Sequence, residues 1–217
     1  GFAPTTGEQG AMALHNYSNI TAALIKQTHQ DVTACIDDLF RQGEFRINRR
    51  LRLRTMETKL SVMASTNGAP VPYDFIAVKW AYTIENSRIM DLTPQTGEYI
   101  YRWYPNRTAQ TRPRFIGRDG STFVLGPAPE KDYLLNVCYY RRLQSLQSTT
   151  TNWFTENAAD LLMAAGKIEI YGYVEDLENM RTWEERFELI AARVQKEENE
   201  EHAGGGRRRS IPDMAYS

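Results

Sequence analysis

The sequence predicts an α+β fold: a helical bundle formed by N- and C-terminal helices, with an inserted antiparallel β lobe and a flexible C-terminal arm. Apolar residues recur every three or four positions near both ends of the chain and every second position in its middle. A glycine- and charge-rich stretch follows the last helical pattern. We divide the chain into a flexible N-terminus (1–13), N-terminal bundle helices (14–51), the β lobe (52–147), a C-terminal helical hairpin (148–196) and a flexible arm (197–217).

Two helices are predicted in the N-terminal part. Apolar residues at helical spacing favour the first helix over residues 17–29. Thr33 can cap the second helix, and Asp37 and Asp38 then fall early in it, where negative charge suits the helix dipole. The inner stripe of this helix consists of Ile36, Leu39, Phe40 and Gly43.

The β lobe is predicted from runs of branched and aromatic residues bounded by turn signals. Strands are expected over residues 60–63, 76–84, 114–118, 121–125 and 133–143, with a turn over 67–70 and a short helix over 94–104. Asp119-Gly120 separates two of these runs and favours a type I′ hairpin, in which both central residues have positive φ.

The final third is predicted to be a helical hairpin. Ala158, Leu161, Ala165, Ile168 and Gly172 form one face, and its small residues allow a neighbouring helix to approach closely. Thr182 and Glu185 have the spacing of a capping box, which predicts a second helix beginning there. We therefore place the junction of the hairpin near Asn179.

The composition is that of a soluble globular protein. The chain has 217 residues, two cysteines and a formal net charge of −1. This charge argues against a globally basic nucleic-acid binder, and two cysteines are too few for a disulfide framework. No apolar run reaches the roughly 18–20 residues that span a membrane, so we expect no membrane association. Residues 1–10 lack a signal-peptide pattern, and we expect synthesis in a cytoplasm.

The sequence offers no group of residues typical of catalysis. His15, His29 and His202 do not pair with cysteine or carboxylate at the spacing of metal ligands. The glycines at 204–206 have no preceding strand and do not form a phosphate-binding loop. We predict no catalytic residues, no metal and no cofactor.

Basic residues are concentrated in an arginine stripe at the end of the second helix. Six arginines and one acid occupy residues 41–54. The partner-binding candidates in this region are Arg46, Arg49, Arg50, Arg52 and Arg54. They could be a solvated helix end, contact an acidic protein or face DNA phosphates. If the segment is extended, alternation would place three of these guanidinium groups on one face.

Two further basic regions are candidates for binding. The tail carries Arg207, Arg208 and Arg209 after an acidic run, as in an arm that orders on docking or in a solvated disordered end. In the β lobe, Arg102, Trp103 and Tyr104 lie near Arg107, Arg112 and Arg114 and mix cations with aromatics. Single-strand binders do the same, although an ordinary sheet surface is the simpler interpretation.

Several segments together resemble the head-to-tail adaptor (head completion or connector) proteins of tailed bacteriophages, especially the short-tailed phages. Residues 71–75, Val-Pro-Tyr-Asp-Phe, followed by Val78 and Lys79, look like that family's Leu-Pro-x-Asp-Phe at the start of a strand, with Val71 departing from its usual leucine. Residues 125–129, Leu-Gly-Pro-Ala-Pro, then Tyr133 and Tyr139-Tyr140, look like its Pro-x-Pro … Tyr-Tyr segment. The closing hairpin is matched by Leu143, Leu146, Asn152-Trp153, the helix over 161–172, Trp183 and Phe187. The similarity covers residues 33–194, and the tail matches no family pattern.

The resemblance implies a structural virion protein at the head–tail interface. Such a protein would bind the portal as a ring, extend the DNA channel and provide the platform for the tail. Its implied partners are the portal protein, a nozzle or tail-tube protein, neighbouring subunits in a twelvefold ring, and packaged DNA passing without sequence-specific readout. The alternatives are a DNA-binding module using the arginine stripe, and an enzyme such as a cell-wall hydrolase, for which the sequence offers no carboxylate pair.

Overall fold

The computed structural model describes residues 16–204, with side chains described as far as residue 200. These residues form two compact units. The helical unit comprises the described residues up to Arg52 and from Gln144 onward, and the β unit comprises Leu53–Leu143. The predicted N-terminus at 1–13 lies outside the described residues, and the five predicted segments remain a prediction.

The described residues contain seven α-helices, one 3-10 helix and seven strands. In chain order they are α1 (Tyr17–Thr28), α2 (Ile36–Arg50), the 3-10 helix (Arg54–Met56), β1 (Glu57–Ala64), β2 (Ala69–Pro70), β3 (Phe75–Glu85), β4 (Arg88–Pro94), α3 (Gly97–Trp103), β5 (Phe115–Asp119), β6 (Thr122–Gly126), β7 (Tyr133–Arg141), α4 (Leu146–Thr149), α5 (Trp153–Asn157), α6 (Ala159–Tyr173) and α7 (Leu177–Gly204).

The first two helices form largely where the apolar pattern predicts them. Asn16 caps α1 by accepting from the Asn19 backbone N–H at 2.9 Å, and α1 ends where His29 adopts φ 55°. The predicted cap of α2 is wrong: Thr33 Oγ1 donates to Asp31 Oδ1 at 3.3 Å, and α2 begins three residues later. A short local hydrogen bond therefore competes with capping at Thr33.

The junction between α6 and α7 lies earlier than predicted. Asp176 Oδ1 accepts from the Asn179 backbone N–H at 3.1 Å, so Asp176 caps α7. The predicted capping box is wrong, because Thr182 lies inside α7 and its hydroxyl donates to the Glu178 carbonyl at 3.0 Å. The helix also continues to Gly204, so residues 197–204 of the predicted arm are helical.

Helix α6 is the centre of the helical unit and contacts α1, α2, α5 and α7. Small residues permit the close approach: a Cβ on Gly43 of α2 would lie 3.2 Å from the Ala165 carbonyl carbon. One on Gly166 would lie 2.6 Å from Leu24 Cδ1 of α1. Gly172 instead faces α7, with the Met180 sulfur 3.4 Å from its Cβ position. The small residues of α6 therefore serve three neighbours, α2, α1 and α7.

The β unit is built on a seven-stranded mixed sheet with the order β1-β7-β3-β4-β5-β6-β2. All the pairings are antiparallel except β4 with β5, where Thr93 and Pro94 lie opposite Phe115 and Ile116. A parallel pair needs a crossover connection, and the segment containing α3 supplies it. The edge strands β1 and β2 follow each other in the chain and meet at a Ser65–Gly68 bridge. The sheet is therefore nearly a barrel.

The predicted fold class, a helical bundle with an inserted antiparallel β lobe, is wrong. The sheet has seven strands with one parallel pair, and it encloses a core of its own. Sequence reasoning missed β4 because only Leu92 of its seven residues is buried, which leaves no alternation to detect. It missed β2 because that strand has two residues.

The type I′ geometry predicted for the Asp119-Gly120 turn occurs instead in the turn between β3 and β4. At the predicted turn, positive φ occurs only at Gly120, the first central position, which is typical of type II′. Between β3 and β4, Asn86 and Ser87 both have positive φ, 48° and 61°, which is the type I′ pattern. Asn86 tolerates this region because its short polar side chain can hydrogen-bond locally.

Candidate partner-binding surfaces

Arg46 is paired inside the helical unit. Its Nε donates to Glu169 Oε1 on α6 at 2.8 Å, and its Nη1 lies 3.5 Å from Glu184 Oε1 on α7. The Glu169 side chain is only 15% exposed, so this pair is partly shielded from water. Arg46 therefore joins three helices and is not free for an outside partner.

Arg50 repeats this arrangement one turn further along α2. Its Nε donates to Glu188 Oε2 on α7 at 2.8 Å, and both side chains are about half exposed. The spacing of four residues on both helices places Arg46 beside Glu184 and Arg50 beside Glu188. Arg49 is exposed between them and lines a groove of about 560 Å³ with Phe45.

Arg52 follows the end of α2, and its side chain caps the last carbonyls of that helix. Its Nη1 donates to the carbonyls of Asn48 at 3.0 Å and Leu51 at 2.6 Å, which satisfies acceptors that the helix end leaves open. Its backbone N–H donates to Gln195 Oε1 of α7 at 3.0 Å, and Gln195 Nε2 donates back to the Arg52 carbonyl at 3.0 Å.

The arginine stripe is thus not one extended basic face. Arg50 ends a helix, Arg54 begins the 3-10 helix, and the acids that pair with Arg46 and Arg50 come from α6 and α7. Sequence reasoning missed these acids because they lie far from the arginines in the chain. The four-residue spacing of Glu184 and Glu188 on α7, which matches that of Arg46 and Arg50, was nevertheless visible in the sequence. Arg207, Arg208 and Arg209 lie outside the described residues.

The cations of the predicted aromatic set in the β unit have mainly structural partners. Arg107 donates to the Leu125 carbonyl at 2.8 Å and to the Thr66 carbonyl at 3.3 Å. Arg102 pairs with Glu98 one helical turn away at 2.7 Å. Trp103 is 66% exposed, and Arg112 and Arg114 line a separate groove. Of the predicted set, the structure brings Tyr104, Arg112 and Arg114 together along this groove.

A buried carboxylate anchors the segment that returns from the β unit. Glu44 accepts from Ser145 Oγ at 2.6 Å and from the Leu146 backbone N–H at 2.8 Å, at the start of α4. Burial raises the pKa of the Glu44 carboxyl, and the two donors oppose this rise. Beside it, burial and the hydrogen bond donated to Asp37 raise the pKa of Tyr17 to about 12.

The residues that carried the family resemblance hold the core of the β unit. Phe75 packs edge-on against Phe123 with ring centroids 5.3 Å apart. Asp74 Oδ1 accepts from the Tyr139 hydroxyl at 3.0 Å, and burial is the main cause that raises the pKa of Tyr139 to about 12. Tyr73 is 88% exposed. Asp74 and Phe75 are therefore explained by packing, while Tyr73 is available for contact.

An exposed apolar row crosses the outer face of the sheet. Met63 of β1 lies opposite Leu134 of β7, and Ile84 of β3 lies opposite Ile89 of β4. The β3–β7 register pairs Thr83 with Leu135, so Ile84 is next to Leu134. All four side chains are more than 40% exposed. We did not predict this row, because it depends on strand register.

The two units carry opposite charge. Residues 53–143 contain twelve Lys or Arg and eight Asp or Glu, whereas residues 16–52 and 144–204 together contain eleven Lys or Arg and seventeen Asp or Glu. Such complementarity steers association between surfaces that belong to different molecules.

Within residues 16–204, no group of three or more His, Cys, Asp or Glu side chains has the geometry of a metal site. Within the same residues, no helix combines the length and apolar character needed to cross a bilayer. Cys35 and Cys138 are free and partly buried.

The sequence model of the SU10 adaptor protein family matches residues 16–210, which is most of the chain. No curated protein matches the chain.

Proposed function

The chain belongs to the SU10 adaptor protein family and is a structural adaptor protein of a bacteriophage; from this premise we propose its place in the virion. It binds beneath the portal of a short-tailed phage as a ring, extends the DNA channel and provides the platform for the nozzle or tail-tube protein. Neighbouring subunits surround a twelvefold axis. Packaged DNA passes through without sequence-specific readout.

The family match over residues 16–210 carries this proposal. Two features of the structure support it. Three of the five stripe arginines, Arg46, Arg50 and Arg52, have their partners inside the helical unit. The basic β unit and the acidic helical segment also suit head-to-tail contacts, in which each subunit presents two different surfaces to its neighbours.

The decisive experiment mixes the purified chain with purified portal protein and images the product by electron microscopy. We expect an additional ring of density on one end of the portal, with the chain in equal copy number to portal subunits. Portal particles that stay bare at saturating chain concentration would overturn the proposal.

The C-terminal tail is proposed to make the portal contact. Replacing Arg207, Arg208 and Arg209 by glutamine should weaken capture of the chain by immobilised portal, because three cations are lost from a docking segment. The matched control replaces Arg193 and Lys196, two cations of α7, in the same way. Unchanged capture of the tail variant would exclude the tail while leaving the ring proposal standing.

The DNA-binding alternative has its own test. It predicts duplex affinity that falls steeply with salt and depends on the arginine stripe. Arg46 and Arg50 are paired internally, so the test uses Arg49. Since we do not expect the stripe to bind DNA, the Arg49→Gln variant should bind duplex DNA no more weakly than the wild type at low salt. A clear loss of binding would favour the alternative.

A further inference from the structure

Strand β4 has one open edge in the part of the chain that the structure describes. It pairs with β3 over residues 88–92, but with β5 only at Thr93 and Pro94. Along residues 88–92 no other strand lies on the side away from β3. An unpaired strand edge is a template for an added strand.

The register identifies the backbone groups that this edge presents. Glu85 and Arg88 flank a two-residue turn and form a hydrogen-bonded pair, and such pairs alternate along an antiparallel ladder. Ile89 and Asp91 are therefore in non-hydrogen-bonded pairs with β3, and their N–H and C=O groups point to the open edge. The hydrogen bond from the Thr93 backbone N–H to the Arg114 carbonyl, 2.9 Å long, continues the same alternation.

A groove of about 500 Å³ lies beside this edge. The segment over 111–114 contributes its other lining and is hydrogen-bonded to β4 where the Arg114 carbonyl accepts from the Thr93 N–H. Pro113 has no N–H to donate to a strand ladder. The lining residues are Asp91, Tyr104, Thr111, Arg112, Pro113, Arg114 and Pro127. The groove therefore offers a backbone template on one wall and side chains on the other.

The two arginines that line the groove favour an acidic partner segment. Arg114 is exposed, and no carboxylate of the described residues is within ion-pair distance of it. Arg112 Nε lies 3.9 Å from Glu85 Oε2, but Glu85 is held more closely by Lys131 at 2.5 Å. Asp91 is the acid in the lining, and it accepts from Trp80 Nε1 at 2.9 Å. Two arginines with little competition favour acidic groups.

Apolar contact is available on the same edge. Ile89 is 58% exposed and ends the apolar row on the outer face of the sheet. A strand added beside β4 would extend this row by one position, next to Ile89, and cross-strand apolar pairs stabilise such an arrangement.

We propose that the open edge of β4 binds an extended segment of a partner protein that alternates apolar and acidic residues. The segment adds one antiparallel or parallel strand by hydrogen bonds to the backbone of Ile89 and Asp91. Its apolar side chains lie beside Ile89, and its carboxylates contact Arg112 and Arg114. This contact belongs to the β unit and does not depend on portal binding.

The test uses a short synthetic peptide of alternating valine and glutamate with the full, isotopically labelled chain. We expect the peptide to slow amide hydrogen exchange at Ile89 and Asp91. Arg112→Ala and Arg114→Ala should each weaken binding about two- to fivefold, the range for exposed ion pairs. Arg102→Ala removes a cation elsewhere on the β unit and should leave the affinity unchanged.

Backbone pairing is tested separately. Ile89→Pro removes an N–H that β3 does not use, and it should abolish binding while the β3–β4 ladder persists. If that variant fails to fold, the same peptide with N-methylated valines, which lacks half its donors, should not bind the wild type. Binding of the methylated peptide, or equal binding of a valine–lysine peptide, would overturn the proposal. So would arginine-dependent binding of single-stranded oligothymidylate without binding of the glutamate peptide.

Discussion

Arg46 Nε donates to Glu169 Oε1 at 2.8 Å and so joins α2 to α6 across 123 residues of chain. Glu169 is mostly shielded from water, and its carboxylate has this guanidinium as its ionic partner. This pairing gives Arg46 a structural role, although the sequence had suggested it as a partner-binding residue. Its neighbour Arg49 on the same helix is exposed without such a pair, which makes the two arginines a matched set for mutation.

Arg46→Ala should lower the free energy of unfolding by about 1–2 kcal/mol, because it leaves the shielded Glu169 carboxylate without its charged donor. Arg49→Ala should change it by less than about 0.5 kcal/mol, as expected for an exposed surface position. Urea unfolding of both variants measures the difference. Equal effects would mean that the Arg46–Glu169 pair does not stabilise the fold.

Glu44→Gln tests the buried carboxyl that anchors α4. Burial raises its pKa above the ordinary 4.5, so the folded state binds a proton more readily than the unfolded chain. The wild type should therefore lose stability, relative to Glu44→Gln, as the pH rises from about 4.5 through the raised pKa. Above that window the difference between the two should be constant. Measuring urea unfolding of both proteins across this range isolates Glu44 from other acids.

A difference that stays flat across the same pH range would show that Glu44 titrates normally. Glu44→Ala is the matching structural control. It removes the acceptor of the Ser145 hydroxyl and the Leu146 N–H and should cost about 1–3 kcal/mol.

Thr83→Val should stabilise the β unit by about 1 kcal/mol. The Thr83 hydroxyl is fully buried and has no hydrogen-bond partner among the described residues, so valine of the same shape removes an unsatisfied group. Thr155→Val is the contrasting case, because the Thr155 hydroxyl completes the capping box of α5 with Asn152. It should destabilise by about 1 kcal/mol. Thermal unfolding distinguishes the two, and a destabilised Thr83→Val would show that a partner for this hydroxyl exists.

Gly68→Ala should destabilise the β unit by more than about 2 kcal/mol. Gly68 has φ +92°, and an added Cβ would lie 2.0 Å from the Phe123 carbonyl oxygen, so the turn between β1 and β2 would have to shift. Gly120→Ala also places alanine at positive φ, +56°, but nothing lies within 4 Å of its Cβ. Its cost should stay near 1 kcal/mol. If the two variants unfold at the same urea concentration, the contact between a Cβ at position 68 and the Phe123 carbonyl oxygen does not lower stability.

Several elements followed from the sequence because their signals are local. Apolar spacing predicted α1, most of α2 and the long helix α6, and turn residues placed the short helix α3 and the strands β3, β5, β6 and β7. Strand β4 gave no such signal, since six of its seven residues are not buried. The wrong capping box at Thr182 shows that a local motif does not decide which of two nearby capping residues, Asp176 or Thr182, begins a helix.

The candidate surfaces were less predictable than the elements. The arginine stripe was visible as composition, but its pairing with Glu169, Glu184 and Glu188 requires α6 and α7 to lie against α2. The apolar row from Met63 to Ile89 consists of residues scattered over four strands. A shift of one residue in any register would turn its member toward the core.

The helical and extended periods, the excess of acids in α7 and the resemblance to phage adaptors are properties of the amino-acid sequence alone. They depend on neighbouring residues or on the order of motifs. The pairing of the arginines, the near closure of the sheet into a barrel and the open edge of β4 emerge only when the chain folds. Ion pairs, strand register and edge exposure depend on groups brought together from distant parts of the chain, and composition and spacing do not encode these contacts directly.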